Sequence, residues 1–328
     1  MRRILTVLTL AVLLLPAPPM NKPAARIDPA LPVSIVRIGP DRPTPVGSLM
    51  LRDAWTLDSR NQGFGGISAM LMGPDGRILA LGDSGILMGF SLGKSDERSF
   101  LAPLPIKPEE RDLPWWWWDS ESMTSEPESG RVWVGFELQQ RICRYAPGFT
   151  RVEACRVWPQ VKRWPKTGSI ESLARLPDGR FLAIGEMGMT ADGRHEALLF
   201  AGDPADEATM APLSLRYAPP RGYRPTDAVA IDARHVLVLN RRLAPSELFT
   251  GTIALVELPE TPRNGDLLEG KPLARLAPPL PSDNFEALAV TRAGKDWAVW
   301  VMSDDNHESF QRTLLLHFTL PGALISRD

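Results

Sequence analysis

The stretch Glu171-Ser172-Leu173-Ala174-Arg175-Leu176-Pro177-Asp178-Gly179-Arg180-Phe181-Leu182-Ala183-Ile184-Gly185-Glu186 decides the fold. Asp178-Gly179 is a two-residue hairpin turn signal, flanked on each side by a short apolar run of strand length. Pairing outward from the turn sets residue 177 against 180 and Glu171 against Glu186. Like charges facing each other across a sheet repel, so the open end of this hairpin asks for a cation or a cationic substrate group.

The same form recurs along the chain. Ile67-Ser68-Ala69-Met70 is followed by Leu79-Ala80-Leu81-Gly82-Asp83, and Glu121-Ser122-Met123-Thr124 by Val132-Trp133-Val134-Gly135-Phe136-Glu137. Asp227-Ala228-Val229-Ala230 precedes Val236-Leu237-Val238-Leu239-Asn240-Arg241, and Glu286-Ala287-Leu288-Ala289 precedes Val299-Trp300-Val301-Met302-Ser303-Asp304. The openers Ile67, Glu121, Glu171, Asp227 and Glu286 are separated by 54, 50, 56 and 59 residues. A period near fifty, with room for two more strands per unit, is that of a β-propeller blade.

Helical periodicity is nearly absent, and 32 prolines and 26 glycines punctuate short apolar runs. The expectation is an all-β chain, a propeller of four-stranded blades, with five blades counted. The last unit lacks a strand after Thr313–Leu320, and residues 48–57 can supply it, closing the ring and removing the open sheet edges. A sixth blade built from residues 30–60 and the C-terminal tail is the alternative count.

Blades radiate from one axis, so equivalent residues of the inner strands form a circle around the channel mouth. Glu121, Glu171, Glu186, Asp227, Glu286 and Asp304 are the candidate metal ligands. An all-oxygen set without Cys or His suits Ca²⁺, and after it Mg²⁺, better than zinc. Asp83, Glu137, Arg241, Asp305 and His307 are the candidates for substrate contact. Arg241 interrupts the acidic pattern, and either pairs with Asp227 or binds an anionic substrate group. Polar residues at strand starts also serve to hold neighbouring blades through backbone N–H groups, which is the competing structural role for each acid.

Other motifs are less decisive. Trp115 to Trp118 cannot all face one side of a strand, so they divide between packing and an aromatic lip beside Glu121. Gly82-Asp83-Ser84-Gly85 lacks a nucleophile elbow, and His195, His235, His307 and His317 lack triad context. Cys143 and Cys155 flank Pro147-Gly148 as strand, turn and strand. They read as a hairpin disulfide or as two buried thiols.

Residues 1–25 have the pattern of an export signal, cleaved or kept as an N-terminal anchor: Arg2 and Arg3, then twelve apolar residues from Ile4 to Leu15, too short to cross a bilayer. Residues 26–46 read as a linker and 47–322 as the propeller domain, placed in the periplasm or secreted. Loss of the signal removes Arg2, Arg3 and Lys22 from the 37 basic residues against 39 acids, leaving a net charge of about −5. No run of Lys and Arg marks a nucleic-acid or anionic-membrane partner, and no basic cluster is visible beyond Arg241-Arg242. A monomer acting on a small molecule is expected.

Phe64-Gly65-Gly66-Ile67-Ser68, Asp119-x-Glu121, Asp283-Asn284-Phe285-Glu286-Ala287-Leu288-Ala289, Ser303-Asp304-Asp305-Asn306 and Gln311-Arg312-Thr313-Leu314-Leu315-Leu316 resemble the phytase-like family, described as having esterase-like activity. The likeness runs from about Leu51 to Leu320. It implies an exported propeller distantly similar to calcium-dependent alkaline phytases, in which Ca²⁺ reverses the local charge for an anionic substrate. The expected activity is metal-assisted hydrolysis of an ester or phosphoester. A lactonase-like hydrolase and a non-catalytic ligand- or partner-binding propeller are the alternatives.

Overall fold

The computed structural model describes residues 30–73, 75–92 and 99–325; the expected export segment lies outside them. Strands β1 (Val33–Gly39), β2 (Thr44–Val46) and β3 (Leu49–Ser59) lead into the ring. Blade 1 is β4 (Ile67–Met72), β5 (Arg77–Gly82), β6 (Ile86–Ser91) and β7 (Phe100–Pro103). Blade 2 is β8 (Ser120–Glu126), β9 (Arg131–Phe136), β10 (Arg141–Tyr145) and β11 (Val152–Val157). Blade 3 is β12 (Ile170–Arg175), β13 (Phe181–Met189), β14 (His195–Phe200) and β15 (Leu213–Ala218). Blade 4 is β16 (Arg224–Ala230), β17 (His235–Ala244), β18 (Leu248–Glu257) and, beyond β19 (Leu267–Glu269), β20 (Lys271–Leu276). The short β19 joins blade 3 instead, parallel to β15.

Blade 5 is β21 (Asn284–Ala293), β22 (Asp296–Asp304) and β23 (Thr313–Leu320), completed by β3 from the other end of the chain. Strand β1 adds to the outer edge of β3. The protein is therefore a five-bladed β-propeller closed by an N-terminal strand, without any α-helix among the described residues. No helix among them is long and apolar enough to cross a membrane.

Why the strands read as unbroken apolar runs follows from how the blades stack. Five buried clusters fill the five spaces between neighbouring blades. In β13, Leu182 and Ile184 enter the cluster shared with blade 4, whereas Phe181 and Ala183 enter the one shared with blade 2. Alternate side chains of one strand thus meet opposite neighbours, and both faces must be apolar. Cys143 and Cys155 sit directly opposite each other on β10 and β11 and are joined as a disulfide.

The register departs from the outward count in one repeated respect. Each pair of inner strands carries a β-bulge near its open end, where one residue of the innermost strand has no partner. These residues are Ser68, Glu121, Glu171, Thr226 and Glu286. Ile170 pairs with Gly185 and Ser172 with Ile184, so Glu171 does not face Glu186 across the ladder. An extra residue kinks the strand and re-aims its side chain. The turn alone could not show this, because a bulge costs nothing in the hydrophobic alternation on the far side of it.

Candidate functional site

The inner ends of all five blades contribute to a cavity of about 360 Å³ at the mouth of the ring. Glu121, Glu171 and Glu286 reach it from the bulges of the first strands. Glu137, Glu186 and Asp304 reach it from the ends of the second strands, and Asp83 from the corresponding turn of blade 1. Seven carboxylates thus share one space with a single guanidinium, that of Arg241.

Arg241 is the electrostatic centre. Its guanidinium donates to Glu186 at 3.1 Å, to Asn284 Oδ1 at 3.0 Å, and to Glu286. Asn284 in turn donates to Glu286 at 2.7 Å. Arg241 therefore pairs across blades 3 and 5, and not with Asp227. On the other side of the cavity Glu137 accepts the backbone N–H of Gly168. Gly168 has φ +77, and a Cβ there would collide with Met187, so only glycine allows this approach.

One positive charge cannot neutralise seven carboxylates in a space this small. Burial, and then Glu171, hold Glu121 well above the usual carboxylate range. Burial followed by Glu186 does the same for Glu171, and burial followed by Glu286 for Asp304. Glu286 is also raised by burial, although Arg241 opposes the shift. Asp119, just before β8, is pushed up to about 7 by burial and by Glu137. Without a cation, several of these groups keep their protons near neutral pH.

Asp119, Glu121 and Glu137 each offer an oxygen within 4.8 Å of the others, an arrangement that can hold a metal ion. Sequence reasoning had Glu121 and Glu137 but not Asp119, which precedes the strand and carries no repeat position. Its spacing to Glu121 was the available signal.

Three expected site residues lie outside the cavity. Asp227 follows its bulge instead of occupying it. It is buried against the next blade, where it accepts the N–H groups of Leu288 at 2.7 Å and Ala228 at 2.7 Å. Burial still raises its pKa. Asp305 accepts from Gly66 N at 3.0 Å, His307 N at 3.0 Å and Thr313 Oγ1 at 2.9 Å, and so ties blade 5 to blade 1. His307 is exposed in that same loop. The tryptophans form a single 3-10 turn, Trp115–Trp118, in which Trp118 is buried edge-on against Phe136 at 6.2 Å.

The family described as "Phytase-like: Esterase-like activity of phytase" matches residues 62–307, about three quarters of the chain, from blade 1 to the second strand of blade 5. No curated protein matches the chain. Solved structures with a similar course include hydrazine synthase of Kuenenia stuttgartiensis, at 12% identity over 82% of this chain and 79% of that one, TM-score 0.41. The β-propeller domain of Cps50 (Swd1) from Myceliophteria thermophila aligns at 9% identity over 86% and 99%, TM-score 0.42. U3-55K aligns at 9% over 87% and 98%, TM-score 0.41. Likenesses this distant carry no functional argument.

Proposed function

The chain belongs to the phytase-like family, and from that premise we propose that it is an exported hydrolase of ester or phosphoester bonds assisted by a divalent cation, with Ca²⁺ the best fit. The observation that carries the reading is the convergence of Asp119, Glu121 and Glu137 beside five further carboxylates. The donors are all hard oxygens, several are lifted in pKa by burial and mutual repulsion, and a divalent cation would relieve both costs. When bound there, such a cation supplies Lewis acidity to a carbonyl or phosphoryl oxygen.

The chain's own groups set the stage for that chemistry. Arg241 fixes Glu186 and Glu286, so the blade 3 and blade 5 side of the mouth keeps its shape. Gly168 N–H does the same for Glu137. Asp119, with its pKa near 7, gives up its proton as a cation enters, so uptake tightens with rising pH. Export is supported by the leader pattern of residues 1–25 and by the Cys143–Cys155 bridge, which suits an oxidising compartment.

The test uses purified full-length protein on a panel of p-nitrophenyl esters, p-nitrophenyl phosphate and lactones, with Ca²⁺ or with EDTA. Hydrolysis should need Ca²⁺ and fall by at least ~100-fold in Glu121→Gln/Glu137→Gln, more than loss of a residue that only orients a ligand. Turnover indifferent to both EDTA and the double substitution removes the metal from the mechanism. Absence of turnover across the panel overturns the hydrolase reading in favour of a binding propeller.

A further inference from the structure

A second cavity, of about 680 Å³, opens directly beside the acidic mouth and shares Glu186 and Met187 with it as a common wall. Its character is opposite. Arg194, on the turn between β13 and β14, Arg221, on the segment leading into β16, and Arg224, the first residue of β16, all line it. They come from two separate segments of the chain, and none forms an ion pair with a carboxylate among the described residues. Among the described residues, the one hydrogen bond their guanidinium groups make is from Arg224 Nη1 to Met187 Sδ at 3.1 Å, a weak acceptor.

Glu186 is the single carboxylate in the lining, and Arg241 already holds it at 3.1 Å. His195 adds no charge near neutral pH, since burial lowers its pKa below the usual histidine value. The cavity therefore carries three unneutralised guanidinium groups, next to a mouth that carries an excess of carboxylates. The remaining wall includes Met187, Met189, Pro219 and Pro220, which suits the apolar body of an organic molecule.

We propose that this cavity between blades 3 and 4 is an anion-binding subsite, taking a carboxylate or phosphate on a small organic ligand. Guanidinium forks recognise both groups through paired, charge-assisted hydrogen bonds. An anion held there is kept out of the carboxylate cluster, and the ligand's adjoining part crosses the Glu186–Met187 wall toward the mouth. This use of the cavity deepens the hydrolase reading and, as a substrate assignment, rests on it. The anion site itself does not.

The experiment measures binding alone, so the two readings fail separately. Inorganic phosphate and succinate are titrated calorimetrically into the full chain in EDTA, where no divalent cation can draw an anion into the acidic mouth. At least one probe should bind, and Arg221→Gln/Arg224→Gln should weaken it by roughly 10-fold or more, the loss expected for hydrogen bonds to charged groups. Arg151→Gln, an exposed residue on the β10–β11 turn, removes a positive charge elsewhere and should leave binding intact. Binding of phosphate only assigns a phosphorylated ligand, and binding of succinate only assigns a carboxylate. Failure of both probes to bind, or equal binding by the double variant, overturns the subsite whatever the protein hydrolyses.

Discussion

The bulge residue of blades 2, 3 and 5 is a glutamate, whereas in blades 1 and 4 the same backbone position carries a hydroxyl. Glu121, Glu171 and Glu286 enter the central cavity. Ser68 and Thr226 turn instead to the next blade, Ser68 Oγ donating to Ser120 O at 2.6 Å and Thr226 Oγ1 to Phe285 O at 3.1 Å. One backbone device thus serves two ends, and side-chain length decides which. A hydroxyl reaches only the adjacent strand, and a glutamate extends past it into the mouth. The fold supplies five equivalent positions, and the site is the subset in which charge was placed.

The strongest way to break that division is to remove the counter-charge on which the glutamates depend. Arg241→Gln leaves Glu186 and Glu286 without a cation. It should cost about 3 kcal/mol in EDTA, the low end for a broken buried pair because the Arg241 side chain keeps 28% exposure. Urea unfolding measures this, and added Ca²⁺ should recover part of the loss. A change below ~1 kcal/mol, the range of exposed ion pairs, would show that the mouth is solvated well enough to need no arginine.

The second test uses pH. Asp119, Glu121, Glu171, Glu286 and Asp304 all have raised pKa values, so the metal-free folded state binds more protons than the unfolded chain. Stability must then fall as pH rises, starting from the unfolded carboxylate value of about 4 and continuing through the raised values. His195 and His317, lowered by burial, act in the opposite direction but only up to their unfolded value of about 6.5. Glu126 and Asp178, with depressed pKa values, lose their contribution only under more acid conditions. Between about pH 6.5 and pH 8, then, the mouth dominates. The thermal midpoint in EDTA should decline across that window, with a shallower decline in Glu171→Gln. A midpoint that is flat or rising sinks the account of a strained acidic ring.

Much of this was legible in the sequence, and what was not has identifiable causes. The repeat of apolar runs near a fifty-residue period gave five blades, and residues 48–57 gave the closing strand, because both depend on burial patterns that a sequence displays directly. Glu121, Glu171, Glu186, Glu286 and Asp304 were found for the same reason, as repeat positions. The bulge was not legible: counting outward from Asp178-Gly179 placed Glu171 opposite Glu186, and it selected Asp227 where Thr226 is the equivalent residue. A one-residue slip is invisible when both faces of a strand are buried and apolar. The basic cavity was hidden for another reason, since Arg194 and Arg221 come from different blades and meet only through the stacking of those blades.

The finest test separates a joint from a site at the level of one oxygen. Thr226→Val keeps the shape and volume of the side chain and deletes the hydroxyl that donates to Phe285 O. That carbonyl belongs to the residue before Glu286, so the bond joins blade 4 to the strand that delivers a mouth glutamate. Loss of one neutral hydrogen bond in a buried joint should cost about 1 kcal/mol. If the hydroxyl bulges are joints alone, the cost is the same in EDTA and Ca²⁺ and does not vary between about pH 6.5 and pH 8, the window in which the mouth titrates. A cost that grows when Ca²⁺ is present would mean that Thr226 helps to set the position of Glu286. The two classes of bulge would then be coupled, and the ring would act as one electrostatic unit and not as three charged positions on a neutral frame.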